Sequence, residues 1–513
     1  MSASRITGTA AVAVAVCFFR VGLAAWNEGA PRINGPRAYG ATPGRQFLYA
    51  FPTVGSRGGL TFSVVSGKLP DGVALDARRG VLSGSVAAPG EHALTVRAEN
   101  ALGRAEKNFT LVVGENARAL TPPMGWTSWS AFTTDIDQKL IAATAKALVE
   151  KGLAAHGYAY VNIDSCWQGQ RNKKGSLALQ PNERFPKMGQ LVRDIHALGL
   201  KAGIYSTPMV HAWGSRDDRL LLGSTTYPLD PQFYHAHFGG CGKRSMETHD
   251  AAQFADWGFD WLKYDWSPTD VYHCRTMRAA LDRTKRDIVL QVCTACQLSN
   301  ATAFASCVQL ARGNGDTKDE WANVSRYMNR ADRWLKFVRP GFWYDLDMLA
   351  VGAMRIGRNE NAVRSPRPGE APDARLANRL TEDELASHFA CWAIIPVPLF
   401  LSCDIAHIDD FTLKLVTNDD LVEINQDYPA TPAVPTDEAG GKRRRWTRTL
   451  SDGRQVLGFF NLGEDVWSVS HRLPDALVAK DVLAKRELGR LSELTFSLKP
   501  HACKVFLLKE TGK

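Results

Sequence analysis

The stretch Trp257-Gly-Phe-Asp-Trp-Leu-Lys-Tyr-Asp265 lies near the middle of the 513-residue chain and decides its fold. Its last five residues predict a short buried strand that ends on a charged side chain. Helical patterns lie on both sides of this strand. Strands that alternate with helices form βαβ units, so the stretch predicts one strand of a parallel sheet.

The same alternation of strands and helices runs from residue 120 to residue 428, and it contains eight candidate strands. These strands are residues 123–126, 159–164, 201–206, 261–265, 288–292, 307–311, 342–345 and 399–403. Eight such units predict a closed (β/α)₈ TIM barrel as the catalytic domain. The active site of a barrel lies at the carboxyl ends of its strands.

Two helices of this region carry clear start signals. Asp135 is placed to cap the first, whose apolar stripe runs to a stop at Gly152. The second begins with the capping-box pattern Thr381-Glu-Asp-Glu and is stopped by Pro396. The apolar stripe of the first helix is expected to pack on the barrel.

The regions on either side of the barrel contain short strands separated by glycine and proline. Residues 34–115 predict a small Ig-like β-sandwich, and residues 429–513 predict a C-terminal antiparallel β-sandwich. A chain of this length exceeds what one core usually serves, so several domains are expected. Hydrophobic residues make up 45% of the chain, which argues against disorder as its default state.

The first 25 residues have the layout of a signal peptide. Arg5 precedes a small apolar run from Thr9 to Phe19, and Ala24-Ala25 follow it. Arg20 interrupts the run, which argues against a lasting membrane anchor. We therefore expect a secreted or periplasmic protein without an integral membrane domain. In such a compartment some of the cysteines outside this segment would pair as disulfides.

The net charge of +9 is scattered along the chain. The densest basic run is Lys442 to Arg445 with Arg448, next to the turn-forming Gly440-Gly441. This arrangement favours a solvated hairpin tip over a binding site for a polyanion, and no nucleic-acid partner is expected.

Several candidate strands end in, or are closely followed by, aspartate, the residue type needed to cleave a glycosidic bond. The chemistry needs one carboxyl group to protonate the leaving oxygen and a second to attack C1 or activate water. The candidates at strand ends are Asp164, Asp265, Asp345 or Asp347, and Asp404, while Asp316 lies in the loop after the sixth strand. For Asp404 we expect a structural role rather than a catalytic one. Trp126 and Trp167 are equally compatible with the core and with a pocket wall.

Seven motifs give the region a specific resemblance. In chain order they are Met124-Gly-Trp-Thr-Ser-Trp129, Asn162-Ile-Asp-Ser-Cys-Trp167, Gly203-Ile-Tyr205, Trp257-Gly-Phe-Asp-Trp-Leu-Lys-Tyr-Asp265, Arg312-Gly-Asn-Gly-Asp316, Asp345-Leu-Asp-Met348 and Glu423-Ile-Asn-Gln-Asp427. Together they resemble the signatures of glycoside hydrolase family 27, the α-galactosidases or melibiases. The segment from Leu69 to Gly84 resembles the Ig-like modules of secreted bacterial enzymes.

The resemblance implies a role for each matching residue. Asp265 matches the catalytic nucleophile and Asp316 the general acid/base. The residues implied in substrate binding are Trp129, Asp164, Ser165, Tyr205, Lys263, Arg312 and Asp347. The implied enzyme is a retaining exo-glycosidase that acts on terminal α-D-galactosyl residues of a carbohydrate substrate. No metal and no other cofactor is implied, and the oligomeric state is not predicted.

The chain also departs from the family pattern. Typical members carry two adjacent aspartates where this chain has Asp164-Ser165, which replaces a charged acceptor for a sugar hydroxyl by a weaker one. The segment after the fifth strand, Cys293-Thr-Ala-Cys296, lacks the usual Glu-Trp. Ser267 stands where the family has a cysteine, so that family disulfide is expected to be absent.

Other activities stay open beside α-galactosidase. α-N-acetylgalactosaminidase and β-L-arabinopyranosidase activities fit the same scaffold, and a non-catalytic carbohydrate-binding protein is a rival from another class. A zinc site could be imagined from His235, His237, Cys241, His249 and Cys274, but their spacing matches no standard zinc motif.

Overall fold

The computed structural model describes residues 25–56, 59–172, 177–212, 229–235, 239–242, 244–354 and 378–510. The predicted signal peptide lies outside these ranges apart from its last residue, which begins the 3-10 turn Ala25–Asn27. None of the described helices is long and apolar enough to cross a membrane.

Eight parallel strands form the central sheet, as the sequence predicts. They are β1 (Met124–Thr127), β2 (Tyr160–Ile163), β3 (Lys201–Ser206), β4 (Trp261–Asp265), β5 (Val289–Cys293), β6 (Leu310–Arg312), β7 (Trp343–Asp345) and β8 (Leu399–Leu401). Their order around the sheet is β7-β6-β5-β4-β3-β2-β1-β8. Just beyond β7, the backbone N–H of Leu349 donates to the carbonyl of Phe400 at 2.8 Å and brings the two edges together.

The sixth strand begins later than the sequence predicts. Residues 307–309 precede it, because Cys307 still belongs to the turn that follows the helix Ala301–Phe304 and its thiol donates to the carbonyl of Ala303. The apolar pattern of 307–311 did not distinguish this buried turn from the strand itself.

Helices surround the sheet. The described helices of the region are Trp129–Phe132, Gln138–Glu150, Met188–Ala197, Glu247–Trp257, Val271–Asp282, Ala301–Phe304, Trp321–Arg330, Asp332–Leu335, Glu382–Ile394, Asp410–Val416 and Asp419–Asn425. The capping box is confirmed, because the Thr381 hydroxyl accepts from the N–H of Glu384 and the Glu384 carboxylate accepts from the N–H of Thr381. The cap predicted at Asp135 is wrong: Asp137 accepts from the N–H of Leu140, two residues later along the chain.

Trp126 and Trp167 belong to the barrel core rather than to a pocket wall. Both are fully buried. Their indole N–H groups donate to the carbonyls of Cys403 and Tyr205, each at 2.8 Å. A buried indole that has its hydrogen bond satisfied inside the protein serves packing.

The N-terminal module is strand-rich, as predicted, and has its own apolar core. One sheet has the order Ala38–Ala41, Gly103–Val113, Gly90–Asn100, Thr61–Ser66, and the other has the order Phe47–Ala50, Val81–Gly84, Val73–Asp76. The short strands Arg32–Ile33 and Thr53–Val54 pair separately. The module packs on the amino end of the barrel, where Thr42 donates to both carboxyl oxygens of Asp287 at 3.0 and 2.8 Å.

The C-terminal region forms one six-stranded antiparallel sheet. Its order is Val434–Glu438, Arg443–Thr449, Gln455–Asn461, Cys503–Lys509, Trp467–Asp481, Arg486–Leu498. The solvated tip expected around the basic run is wrong for part of that run. Arg444 and Arg448 are buried, and Arg444 pairs with Asp332 of a barrel helix at 3.0 Å. These arginines join the sheet to the barrel.

No disulfide joins any two of the nine described cysteines. Eight of them are buried and Cys503 is half-buried. The disulfides that the sequence led us to expect are therefore not formed among the described residues. Burial raises the pKa of most of these thiols, for example Cys293 and Cys391, and disfavours the thiolate there.

Candidate active site

The carboxyl ends of the barrel strands place the predicted site residues side by side. In the sheet register, Lys263 of β4 lies between Tyr205 of β3 and Gln291 of β5. Asp265 lies next to Cys293, at the very end of both strands. Side chains on alternate residues of a strand share a face, so Lys263 and Asp265 point to the same side of the sheet.

The first of two hydrogen-bonded groups joins the predicted nucleophile to the predicted acid/base. The Thr294 hydroxyl donates to Oδ1 of Asp265 at 3.0 Å, and the hydroxyl oxygen of Thr294 itself accepts from Arg312 at 2.9 Å. Arg312 also donates to Oδ1 of Asp316 at 2.9 Å and, through its other terminal nitrogen, to Asp347. One guanidinium therefore holds two carboxyl groups directly and a third through a hydroxyl.

The second group surrounds Asp164 at the end of β2. Lys263 donates to Oδ2 of Asp164 at 2.8 Å, and the Thr127 hydroxyl of β1 donates to the same oxygen at 3.2 Å. The ammonium of Lys263 lies 5.6 Å from the ring centre of Tyr205. Four strands thus supply a compact set of one carboxylate, one cation, one hydroxyl and one aromatic ring.

Further residues hold Asp347 in place. Asp345 accepts from the backbone N–H of Asp347 at 2.7 Å and from the Gln291 side chain at 2.5 Å. The backbone N–H of Thr317 donates to Oδ2 of Asp347 at 2.7 Å. Asp347 has φ = 73°, a left-handed conformation that a non-glycine residue adopts at a cost of order 1 kcal/mol. Backbone conformations of this kind cluster at functional sites.

The side chains of Ser165 and Trp129 belong to neither of these groups, although the backbone N–H of Ser165 donates to Oδ1 of Asp164 at 2.8 Å. Ser165 is 0% exposed, and its hydroxyl has no hydrogen-bond partner among the described residues. Trp129 begins the short helix after β1 and is partly buried against the barrel core. Asp404, whose predicted role was structural, caps the 3-10 turn Ile405–His407 by accepting from the N–H of Ala406.

The charges of the site are unevenly matched. Four carboxyl groups, those of Asp164, Asp265, Asp316 and Asp347, share the two cations of Lys263 and Arg312. Burial raises the pKa of Asp265, although both cations act to lower it. Burial likewise raises the pKa of Asp347 to about 6, against the opposing charge of Arg312. A proton shared within this group is the expected result, because so many like charges cannot all ionise at low cost.

Asp316 differs from the other carboxyl groups in its exposure. Its side chain is 50% exposed, while those of Arg312 and Asp347 are each 3% exposed. Partial desolvation opposes ionisation of Asp316, but the adjacent Arg312 and then Lys263 lower its pKa. In the free site, therefore, the predicted acid is ionised more easily than Asp265 or Asp347.

Three hydrogen bonds in series, none longer than 3.0 Å, link Asp265 to Asp316. The two linked carboxyl oxygens therefore lie at most about 9 Å apart. This bound admits the spacing of about 5 to 5.5 Å that a retaining glycosidase uses, which stays a prediction.

Sequence reasoning missed Thr294 as a site residue. A search for strand-terminal carboxylates passes over a neutral hydroxyl, yet Thr294 directly follows Cys293, the register partner of Asp265. That adjacency was the available signal. The imagined zinc ligands include His237, which lies outside the described residues, and within the described ranges no cluster of three or more His, Cys, Asp or Glu is arranged to hold a metal.

Family comparisons agree with this geometry. The family model for alpha galactosidase A matches residues 121–214 and 234–366. An Ig domain model matches residues 30–114, and the alpha galactosidase C-terminal beta sandwich domain matches residues 440–508. The Ig domain match falls on the N-terminal module, the alpha galactosidase A match on the barrel and the beta sandwich match on the C-terminal sheet.

Individual relatives cover most of the chain. Alpha-galactosidase 2 of Arabidopsis thaliana is 32% identical over 409 residues, which are 77% of this chain and 90% of the plant protein. A Bacteroides fragilis structure, provisionally assigned as an α-galactosidase, is 28% identical, covers 95% of this chain and 99% of its own, and superposes with a TM-score of 0.80. A β-L-arabinopyranosidase structure from Geobacillus stearothermophilus is 25% identical, covers 77% of this chain and 98% of its own, and has a TM-score of 0.66. The chain therefore belongs to the α-galactosidase family, glycoside hydrolase family 27, and is a glycoside hydrolase.

Proposed function

We propose that this glycoside hydrolase removes terminal α-D-galactosyl residues from oligo- or polysaccharides with retention of configuration. The observation that carries the proposal is the link between Asp265 and Asp316 through Thr294 and Arg312 at the carboxyl end of the barrel. A retaining mechanism needs two carboxyl groups with different tasks, and these two differ in burial and in partners. A protein that only bound sugar would not need both.

The reaction proceeds in two displacements. Oδ2 of Asp265 accepts no hydrogen bond from the described residues, so it is the oxygen available to attack the anomeric carbon. As the C1–Asp265 bond forms and the glycosidic bond breaks, Asp316 gives its proton to the leaving oxygen. Asp316 then takes a proton from water, the water oxygen attacks C1, and the ester to Asp265 is broken.

The exposed position of Asp316 supports its role as the acid. In the free site the charge of Arg312 lowers its pKa, which does not suit a proton donor at neutral pH. A substrate that covers this half-exposed side chain would remove water from it, and desolvation raises the pKa of a carboxyl group. The bound substrate would thus help to prepare its own acid catalyst.

The remaining predicted residues suit a small polyhydroxylated ring. Asp164 and Asp347 can accept hydrogen bonds from sugar hydroxyls, Lys263 and Arg312 can donate them, and Tyr205 offers an aromatic wall. Such contacts orient the ring so that C1 faces the nucleophile.

A β-L-arabinopyranosidase activity is the second candidate. β-L-Arabinopyranose has the ring of α-D-galactose without the C6 hydroxymethyl group, and Ser165 replaces a charged hydroxyl acceptor at this site. The Geobacillus stearothermophilus relative carries that activity in its description. The α-N-acetylgalactosaminidase alternative rests on the shared scaffold alone.

A panel of p-nitrophenyl glycosides tests the proposal. We expect the highest kcat/KM on the α-D-galactoside, with α-galactose as the first-formed anomer by NMR. A higher kcat/KM on the β-L-arabinopyranoside would change the assigned substrate but leave the retaining mechanism in place. Release of the opposite anomer, or no hydrolysis of any α-galactoside-type substrate, would contradict the proposal.

We also propose that the protein is secreted or periplasmic and consists of separable units at residues 34–115, 120–428 and 429–513. The N-terminal sequence pattern supports export, and the three family matches support the division. Fusion of the first 30 residues to a reporter that works only after export should give an exported product. Retention of the reporter in the cytoplasm would contradict this assignment.

A further inference from the structure

Thr294 occupies the centre of the link between the two catalytic carboxyl groups. Its hydroxyl has one proton and accepts at its oxygen from Arg312 at 2.9 Å. Because the Arg312 N–H can only donate, the hydroxyl proton is left for Oδ1 of Asp265, 3.0 Å away. The direction of both hydrogen bonds is thereby determined.

The backbone of Thr294 is held by the segment that follows the nucleophile. The Thr294 carbonyl accepts from the Thr269 hydroxyl at 2.6 Å, and its N–H donates to the carbonyl of Trp266 at 3.2 Å. In return, the N–H of Trp266 donates to the carbonyl of Cys293 at 2.9 Å. The ends of β4 and β5 are thus tied together at the point where the hydroxyl meets the carboxylate.

We infer that Thr294 is a positioning residue that fixes the Asp265 carboxylate with Oδ2 turned to the anomeric carbon. The inference rests on the proposed function and adds a residue whose type the aspartate pattern does not predict. A carboxylate can rotate about its last bond, so an oriented donor to one oxygen selects which oxygen attacks. The β-branched side chain of threonine has few rotamers, which makes it a firm donor.

The same hydroxyl bears on both displacements. While Asp265 is free, the hydrogen bond stabilises its charged form. Once Oδ2 is esterified to C1, Oδ1 becomes the ester carbonyl oxygen and still accepts from Thr294. When water attacks C1, negative charge returns to the carboxyl group and the hydrogen bond strengthens, since bonds to charged acceptors are the stronger ones.

Other groups also act on the charge of Asp265. Lys263 of its own strand and Arg312 of β6 favour the charged form, while Asp164 of β2 and burial oppose it. The Cys293 thiol of β5 lies next to it and is kept protonated by burial, which raises its pKa. Thr294 is the neutral member of this set, and its removal leaves all four of these ionisable side chains in place.

Thr294→Val tests the inference, because it keeps the shape of the side chain and removes the hydroxyl. We expect kcat to fall by about tenfold or more with little change in KM, as a hydrogen bond to a charged group is lost. We also expect the acidic limb of the kcat/KM profile to move to higher pH, since the charged nucleophile loses a donor. Thr294→Ser restores the hydroxyl and should recover most of both effects.

Thr276→Val is the matched control. The Thr276 hydroxyl donates to the carbonyl of Tyr272 on the exposed side of the helix after β4 and touches neither carboxyl group. If Thr294→Val is folded, as judged by thermal unfolding, and keeps the wild-type kcat and pH profile, this inference is overturned. The proposed function would not be affected by that result. An inactive wild-type enzyme across the glycoside panel would instead overturn the proposed function and this inference with it.

Discussion

The two ends of the barrel both bury aspartates but balance their charges differently. At the amino end, Asp260 is paired with Arg286 at 2.5 Å and with His196 at 2.8 Å, and Asp287 is paired with Arg118 at 2.5 Å. Although burial opposes it, Arg286 and His196 hold the pKa of Asp260 well below its usual range. At the carboxyl end, burial outweighs the cations and raises the pKa of both Asp265 and Asp347.

This difference separates structural from chemical use of the same residue type. The carboxylates of the amino end have their own cations, and Asp287 also accepts two hydrogen bonds from Thr42 of the N-terminal module. The carboxyl groups of the other end outnumber their cations, and the pKa values of Asp265 and Asp347 are raised. A carboxyl group with a raised pKa and an unmatched charge can act in catalysis, whereas a fully paired carboxylate contributes to stability.

The largest effect is expected for Asp265→Asn. The amide cannot form the glycosyl-enzyme ester, so kcat should fall by at least about a thousandfold. The melting temperature should not fall, because the change removes a buried charge that lacks a full partner. Steady-state kinetics and thermal unfolding of the same preparation measure both. Near wild-type turnover would remove Asp265 from its role.

Asp316→Asn should lower kcat/KM by about a hundredfold to ten-thousandfold on natural α-galactosides, the usual range for losing a general acid. The loss should be much smaller for a p-nitrophenyl substrate, whose leaving group hardly needs a proton. The measurement is the fall in kcat/KM of the Asp316→Asn variant on each of the two substrates. Equal losses on both would argue against acid catalysis by Asp316.

Substitutions at the amino end of the barrel should lower the free energy of unfolding and leave kcat unchanged. Asp287→Asn leaves the buried Arg118 short of its main partner and should cost about 3 kcal/mol of unfolding free energy, with kcat unchanged. Asp282→Asn is the control, because Asp282 binds the same arginine but is 40% exposed and should cost less. A fall in kcat with unchanged stability for Asp287→Asn would contradict the division between the two ends.

The pH dependence should reveal the raised pKa of Asp265. The nucleophile works only when charged, so activity is lost as pH falls through its pKa in the folded enzyme. Because burial raises that pKa, the acidic limb of kcat/KM should lie above the ordinary carboxyl value of about 3.9. A profile that stays flat down to that value would show that the charge of Asp265 is matched after all.

The smallest effect is expected at Ser165. Ser165→Asp introduces a carboxylate that can accept hydrogen bonds from a sugar hydroxyl. It should raise kcat/KM for the α-D-galactoside relative to the β-L-arabinopyranoside by about tenfold for each 1.4 kcal/mol recovered. The Ser165 hydroxyl is buried and has no hydrogen-bond partner among the described residues, which supports the alternative that Ser165 only packs beneath the strand end. An unchanged ratio in a folded variant would favour packing.

The sequence predicts the barrel well because strand alternation and strand-end aspartates leave a strong local pattern. The eight strands and the capping box at Thr381 follow from that pattern. The cap at Asp137 and the late start of β6 were missed, since neighbouring aspartates and buried turns look alike in one dimension. The contact of Leu349 with Phe400 depends on how the sheet closes in space.

The site was predicted less completely, for a physical reason. Chemistry-bearing carboxylates can be named from their positions, but the residues that orient them are ordinary ones. Thr294 and Gln291 act through hydrogen bonds that exist only once β4, β5 and β7 are aligned. The burial of Arg444 likewise depends on Asp332, which lies more than a hundred residues away in sequence.

The central claim is that Asp265 becomes covalently bound to the sugar, and trapping of that intermediate tests it most directly. The wild-type enzyme would be incubated with a 5-fluoro-α-galactosyl fluoride, digested with protease and examined by peptide mass spectrometry. We predict a single glycosyl adduct on the carboxyl group of Asp265. An adduct on a different residue, or full turnover of the reagent with inversion and no adduct, would contradict the account.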